Sequence, residues 1–204
     1  SHIKVDKIFS SNANESYGNV HELSRGYEMR LDDNLSIKFL WPYKNLIPNN
    51  TNNSSLVVSL NYNGRNILLP GDIEDEAEYA IYNELDRYEI VIVPHHGSKS
   101  SSTEQFVDAV RPEISILSYG RNSYGIPSQE VVSRYENAGS KIFSTFKDGE
   151  INIILKDDNL YYNTYINNKS HNYYELYLIG IIHKLIIFCF LIIWMLKGEE
   201  NYEL

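Results

Sequence analysis

Two short stretches carry the side chains with most chemical potential: Gly71-Asp72, and His95-His96-Gly97-Ser98. Each directly follows an apolar run that reads as a β-strand, residues 66–69 before the first and 90–93 before the second. In layered α/β proteins ligands collect at the carboxyl ends of strands, and a glycine beside each stretch lets the chain turn tightly there. A carboxylate and an imidazole brought to one point suit a metal ion. Zinc takes both donor types, and in two-metal hydrolases one carboxylate can bridge ions about 3.5–4 Å apart. Gly-Asp also serves ordinary turns, and a His pair also serves hydrogen-bonded structure, so residue types alone leave both readings open.

The elements that must position these residues follow from pattern. Residues 4–9 read as a strand, followed by a Ser/Asn-rich loop, and residues 35–40 read as a strand with Leu35, Ile37 and Phe39 on one face. Residues 45–54, almost all Asn, Pro, Thr and Ser, read as a surface loop. Asn63-Gly64 between apolar runs at 56–62 and 66–69 predicts a hairpin with a type I′ turn. Residues 74–85 place Ala77, Ile81 and Leu85 at helical spacing behind an acidic first turn. Ser101-x-x-Glu104 has the form of a capping box, opening a helix with Phe106, Ala109 and Val110 inward, which Pro112 stops. A strand at 114–117, a helix from Pro127-Ser128 through Tyr135 with Gly139 as its αL terminus, and strands at 141–144, 151–155 and 161–165 complete the body. Strands alternating with helices imply α/β layering.

Composition narrows the class. The chain has 204 residues, 43% apolar and 22% charged, enough for one core plus an appendage. Eighteen Lys and Arg against 27 Asp and Glu leave a net charge of −9, which disfavours a generally basic nucleic-acid grip while leaving room for a local basic groove. The single cysteine, Cys189, can form neither an internal disulfide nor a thiolate cluster. Past a polar linker at 167–175, residues 176–197 are almost uninterruptedly apolar. About 21 residues at about 1.5 Å each span about 31 Å, close to a bilayer core. The reading taken is a membrane-spanning helix with an acidic tail at 198–204; a shorter buried or dimerising helix over 185–196 is the alternative.

The ordered string from NNSSLVVSLNYNGRNILLPGDIEDEAEY through VIVPHHGSKSSSTEQFVDAVRPEISILSYG to YGIPSQEVVSRYENAGSKIF resembles the metallo-beta-lactamase-fold domain of ComEC-type DNA internalisation (competence) proteins. The likeness covers residues 4–165. It implies an α/β, four-layered αββα sandwich over residues 1–166, a hydrolytic site holding a divalent metal such as zinc or manganese, and single- or double-stranded DNA as partner. It also implies attachment to a membrane channel, with the domain on the outer face of the cytoplasmic membrane. Asp72 matches the metal-bridging aspartate, and one of His95 and His96 matches the late histidine ligand. Asn53, Ser98 and Tyr124 fall at motif positions near the site, where contact with ligand or substrate, or simple loop capping, would occupy them. Lys99, Arg111 and Arg121 near the motif loops are candidate phosphate contacts, with solvated surface charge as the alternative.

Three departures matter. The family's leading HxHxDH-like motif should precede the first strand, and only His2 lies there. The usual hydroxyl residue before Gly-Asp is Pro70, and the usual histidine of YGHPS is Ile126. With Ser1 at the start, the expectation is the C-terminal part of the fold, missing its N-terminal portion and main metal motif, and inactive alone. A degenerate membrane-tethered module without catalysis and a stand-alone metallo-hydrolase of another substrate are the other readings.

Overall fold

The computed structural model describes residues 8–11, 20–156 and 159–166. The expected strand at 4–9 falls partly outside them; within them a short strand β1 (Ile8–Ser10) pairs in parallel with β2 (Val20–Glu22), an element with too few residues to show a pattern. The linker and the apolar segment at 176–197 lie outside the described residues. Among those residues no helix is long and apolar enough to cross a membrane.

A seven-stranded mixed sheet forms the centre, in the order β3-β4-β5-β6-β7-β8-β9. Its first half is antiparallel: β3 (Glu28–Arg30), β4 (Leu35–Trp41), β5 (Val57–Tyr62) and β6 (Arg65–Leu69). The β5–β6 hairpin turns at Asn63-Gly64, with φ of 51° and 78°, as a type I′ turn requires. From β6 onward pairing is parallel through β7 (Ile90–Ile92), β8 (Ile114–Leu117) and β9 (Lys141–Ser144). Crossing between them are α1 (Asp75–Ile81), α2 (Glu104–Val110) and α3 (Gln129–Asn137).

Register puts Leu68 beside Val91, on one face of the sheet. Ala77 and Ile81 of α1, Phe106, Val107 and Val110 of α2, and Val131 and Tyr135 of α3 join them in a single buried cluster. Burying a large apolar side chain contributes about 1.5–3 kcal/mol, so these helix stripes are what hold the crossovers on the sheet. A short helix α4 (Thr145–Asp148) follows β9. Beyond Gly149 lies a separate unit, the antiparallel hairpin of β10 (Ile151–Lys156) and β11 (Asn159–Thr164), in which Ile151, Ile153 and Leu155 are half-buried and alternate with exposed residues.

The mixed α/β class expected from the alternating pattern is what the described residues form. Three local expectations need correction. The cap of α2 is Thr103, whose Oγ1 accepts from the Phe106 N–H at 3.3 Å; Ser101 is buried and donates instead to the Pro94 and Ser98 carbonyls. The α1 segment is shorter than expected and closes in a 3-10 turn, Tyr82–Glu84. The polar stretch at 45–54 is no simple surface loop, because it folds into a 3-10 turn, Asn52–Ser54, with Asn53 wholly buried.

Candidate metal centre

Because β6 and β7 are parallel neighbours, the Gly71-Asp72 turn and the Pro94–Gly97 turn leave the sheet side by side. The His95 N–H donates to the Gly71 carbonyl at 3.1 Å, stitching the turns together. Gly71 itself has φ of +65° and lies against Ser55, whose Oγ accepts from the Asp72 N–H at 3.1 Å. A hydroxyl from the loop before β5 thus stands by Asp72, although the preceding residue is Pro70.

The second turn is strained. His95 and His96 both adopt left-handed backbone, φ 48° and 56°, followed by Gly97 at φ 83°. Such conformations cost about 1–2 kcal/mol for each non-glycine residue and persist only where surroundings over-determine them. Here the surroundings do so. A Cβ on Gly97 would stand 2.7 Å from the Pro127 Cβ and 2.9 Å from the Leu117 Cδ2. The Ser128 N–H donates to the Gly97 carbonyl at 2.8 Å, and Ser101 holds the turn from below through Pro94 and Ser98.

That backbone aims the two rings differently. His96 Nδ1 lies 2.6 Å from the Ser118 carbonyl oxygen at the end of β8. A carbonyl only accepts, so Nδ1 carries the proton and Nε2 of the neutral ring keeps its lone pair. That Nε2 is 3.5 Å from Asp72 Oδ1, with both side chains half-exposed. His95 turns away, its Nδ1 3.2 Å from Glu74 Oε1 and 3.5 Å from Ser100 Oγ. Glu74 also accepts from Ser100 Oγ at 2.8 Å, Asn52 Nδ2 at 3.0 Å and Asn50 Nδ2 at 2.7 Å. Burial alone would raise the Glu74 carboxyl, but hydrogen bonds from Asn52 and Ser100, the His95 ring and Asn50 together hold it below the ordinary glutamate value.

The other expected residues separate. Asn53 is a structural hub: its Oδ1 accepts from the Glu74 N–H at 2.8 Å, and its Nδ2 faces Glu76 at 3.1 Å and Asn49 at 3.3 Å. Ser98 bonds within its own loop, to Ser100 Oγ at 3.0 Å. Tyr124 is 84% exposed on the loop that follows Ser118. Lys99 stands 3.9 Å from Glu130, and Arg121 is exposed on the Tyr124 loop. Arg111 caps the carboxyl end of α2 in left-handed conformation, just before β8 begins, so it lies at the amino ends of the parallel strands, whereas Asp72 lies at their carboxyl ends.

Sequence reasoning missed Glu78. It is fully buried on α1, and its carboxylate accepts the Ser102 N–H at 2.5 Å and the Thr103 N–H at 2.7 Å. Burial pushes its carboxyl up, opposed by those two N–H groups. Ser102 in turn meets the buried Tyr135 hydroxyl at 3.2 Å, and its carbonyl accepts from Arg134 at 2.8 Å. Its place one residue after Ala77 and three before Ile81 put it on the inner face, which was the available signal.

No family model matches the chain. It is 30% identical over 157 residues to ComE operon protein 3 of Bacillus subtilis, covering 76% of this chain and 20% of that protein. It is also 30% identical to Recombination protein 2 of Haemophilus influenzae, over 62% of this chain and 16% of that one. With Competence protein ComA of Neisseria gonorrhoeae it shares 30% identity over 58% and 18% respectively. Two solved structures align more loosely. One, described as a metal-dependent hydrolase from Parabacteroides distasonis, gives a TM-score of 0.47 at 19% identity, over 68% of this chain and 63% of that one. The other, from Thermotoga maritima and described as a Zn-dependent hydrolase of the metallo-beta-lactamase superfamily, gives 0.35 at 11%, over 63% and 68%.

The resemblance carried by GDIE and PHHGS is borne out: over three quarters of its length this chain is a relative of the ComEC-type proteins, and it spans about a fifth of the length of the relatives it matches.

The residues present can be tested against the metal that the resemblance implies. Two ligands at about 2.0–2.1 Å from a tetrahedral zinc stand about 3.4 Å apart. The 3.5 Å between Asp72 Oδ1 and His96 Nε2 meets that spacing, and the proton on Nδ1 directed at a carbonyl is the usual outer contact of a ligating histidine. The set is incomplete, however: among the described residues no group of three or more His, Cys, Asp or Glu side chains could hold a metal. Two donors fit; a catalytic zinc needs about three and an open position, so no catalytic step follows from these residues alone.

Proposed function

We propose that this chain supplies part of a divalent-metal site in a metallo-beta-lactamase-like αββα domain of the ComEC type, serving DNA uptake. Asp72 and His96 are its two metal ligands, and His95 is held aside by Glu74. The remaining ligands come from an HxHxDH-type segment, which this sequence does not contain, so the chain alone does not hydrolyse DNA. The domain works at the outer face of the cytoplasmic membrane, with residues 176–197 as its membrane contact. One observation carries the reading: a lone-pair nitrogen of His96, oriented by the Ser118 carbonyl, facing Asp72 at metal-ligand spacing.

Titration of the full chain with Co²⁺, followed by its visible absorption and by calorimetry, tests this. The expected result is weak binding of at most one equivalent, abolished by Asp72→Asn and by His96→Gln and retained by His95→Gln. Tight binding of two equivalents with cleavage of DNA would refute the inertness. A requirement for His95 in place of His96 would refute the ligand assignment.

A further inference from the structure

The left-handed run at His95 and His96 is strained, so attachments outside it must keep the turn from relaxing. Ser101 is the first of these. Its side chain is buried, and its hydroxyl, which carries a single proton, lies 2.9 Å from the Pro94 carbonyl oxygen and 3.0 Å from that of Ser98. Pro94 and Ser98 flank the strained stretch, so one hydroxyl draws its two ends together. The Ser101 N–H reinforces the far end, donating to the Ser98 carbonyl at 3.1 Å.

A hydroxyl holds a turn only as firmly as its own backbone is held, and here two helices do the holding. From α1, the Asp75 N–H donates to the Ser100 carbonyl at 3.1 Å, and the Glu78 carboxylate accepts the Ser102 and Thr103 N–H groups at 2.5 and 2.7 Å. From α3, Arg134 donates to the Ser102 carbonyl at 2.8 Å, and the Tyr135 hydroxyl meets Ser102 Oγ at 3.2 Å. Ser102 is wholly buried and itself left-handed, with φ of 57°. A carboxylate offers an acceptor oxygen to each of two adjacent N–H groups. A glutamine offers one, and sets its own N–H donors against the other.

Resting on the reading of Asp72 and His96 as metal ligands, we propose that Ser101 and Glu78 are positioning residues for that pair. Glu78 anchors the 100–103 backbone to α1, and Ser101 ties the histidine turn to that anchor. Together they aim the His96 ring, through its backbone, so that Nδ1 meets the Ser118 carbonyl and Nε2 faces Asp72.

Long-range ¹H–¹⁵N spectra of the full chain, recorded in EDTA above the titration range of histidine, test this. They read the tautomer of each neutral imidazole, which is set by the hydrogen bond the ring makes. His96→Gln identifies the His96 signals, and wild type is expected to show His96 with its proton on Nδ1. Ser101→Ala and Glu78→Gln are each expected to lower that Nδ1–H fraction at least about twofold in favour of Nε2–H. Val110→Ala is the control for general loosening, since it removes buried volume from α2 and should leave the tautomer unchanged. An Nδ1–H fraction that persists in either positioning variant overturns the proposal, as does an equal loss in Val110→Ala or a wild type already protonated on Nε2. Where Glu78→Gln does not fold, Ser101→Ala decides alone. The Co²⁺ titration reports separately: a wild type that binds no Co²⁺ while its tautomers behave as expected ends the metal reading and leaves the aiming of His96 standing.

Discussion

Replacing Gly97 by alanine tests whether the histidine turn is held as tightly as its geometry indicates. Two penalties combine. Gly97 sits at φ +83°, and an L-residue there pays about 1–2 kcal/mol. The new Cβ would also lie 2.7 Å from one carbon of the Pro127 ring and 2.9 Å from Leu117, which is 3% exposed and has little room to retreat. Overpacking of this kind costs about 1–3 kcal/mol, giving about 2–5 kcal/mol in total. Gly64 is the control, because its φ of +78° is nearly the same while nothing lies within 4 Å of its Cβ position. Gly64→Ala should cost only the conformational part, about 1–2 kcal/mol, and the entropy lost from the unfolded chain is common to both and cancels. Urea denaturation followed by circular dichroism, compared through midpoints at equal m-value, measures the gap. A difference of about 1–3 kcal/mol is expected, with Gly71→Ala between the two because its only close neighbour is the Ser55 side chain. Equal losses for Gly97→Ala and Gly64→Ala would show that the 119–128 segment yields easily and that the turn is not clamped.

Glu78→Ala leaves the Ser102 and Thr103 N–H groups without their acceptor and should destabilise by about 2–4 kcal/mol in the same denaturation assay; a loss under about 0.5 kcal/mol would mean water replaces the carboxylate freely. The same residue sets a pH signature. Its folded pKa is raised, so between the ordinary glutamate value and that raised value the folded state binds more protons than the unfolded chain, and stability falls as pH rises through that window. Wild-type stability measured relative to Glu78→Gln should therefore decline as pH climbs above 4.5 and level off beyond the raised value; a relative stability that rises with pH contradicts the burial argument. Asn53→Ala orphans the Glu74 N–H and should cost about 1–3 kcal/mol, and Asn53→Asp should be no better because it sets a carboxylate beside Glu76; full stability in Asn53→Asp would show that the Glu76 contact is dispensable.

How much of this was visible beforehand depends on how local the determining physics is. Asn63-Gly64 announced its hairpin because positive φ at two successive residues is a demand few other pairs satisfy. The α1 and α2 stripes were visible because apolar spacing is a property of the helix itself, and α3 was marked by its ends, Pro127-Ser128 and Gly139. The cap of α2 was misplaced by two residues because Ser101 and Thr103 are chemically equivalent caps, and the choice was made elsewhere, by the Pro94 and Ser98 carbonyls that take the Ser101 hydroxyl. Asn53 looked like loop material by composition; its burial follows from Glu74, Glu76 and Trp41, the last donating Nε1–H to the Asn53 carbonyl at 2.8 Å, all distant along the chain.

The choice between His95 and His96 shows the same limit at the site itself. Both histidines follow the same strand, and nothing in their spacing separates them. Separation comes from register. Leu68, Val91 and Ser115 share one row of the parallel sheet. From that row the chain runs 72 − 68 = 4 residues to Asp72, 96 − 91 = 5 to His96 and 118 − 115 = 3 to Ser118. For three polar groups at unequal distances to meet at one point, the longest path must curl back, and the left-handed run at His95, His96 and Gly97 provides that curl. One ring is thereby turned onto the Ser118 carbonyl and Asp72, the other onto Glu74. The strain in the turn is thus the means by which adjacent, identical side chains acquire different partners, and relaxing it should cost Asp72 and His96 their spacing before it costs the fold its core.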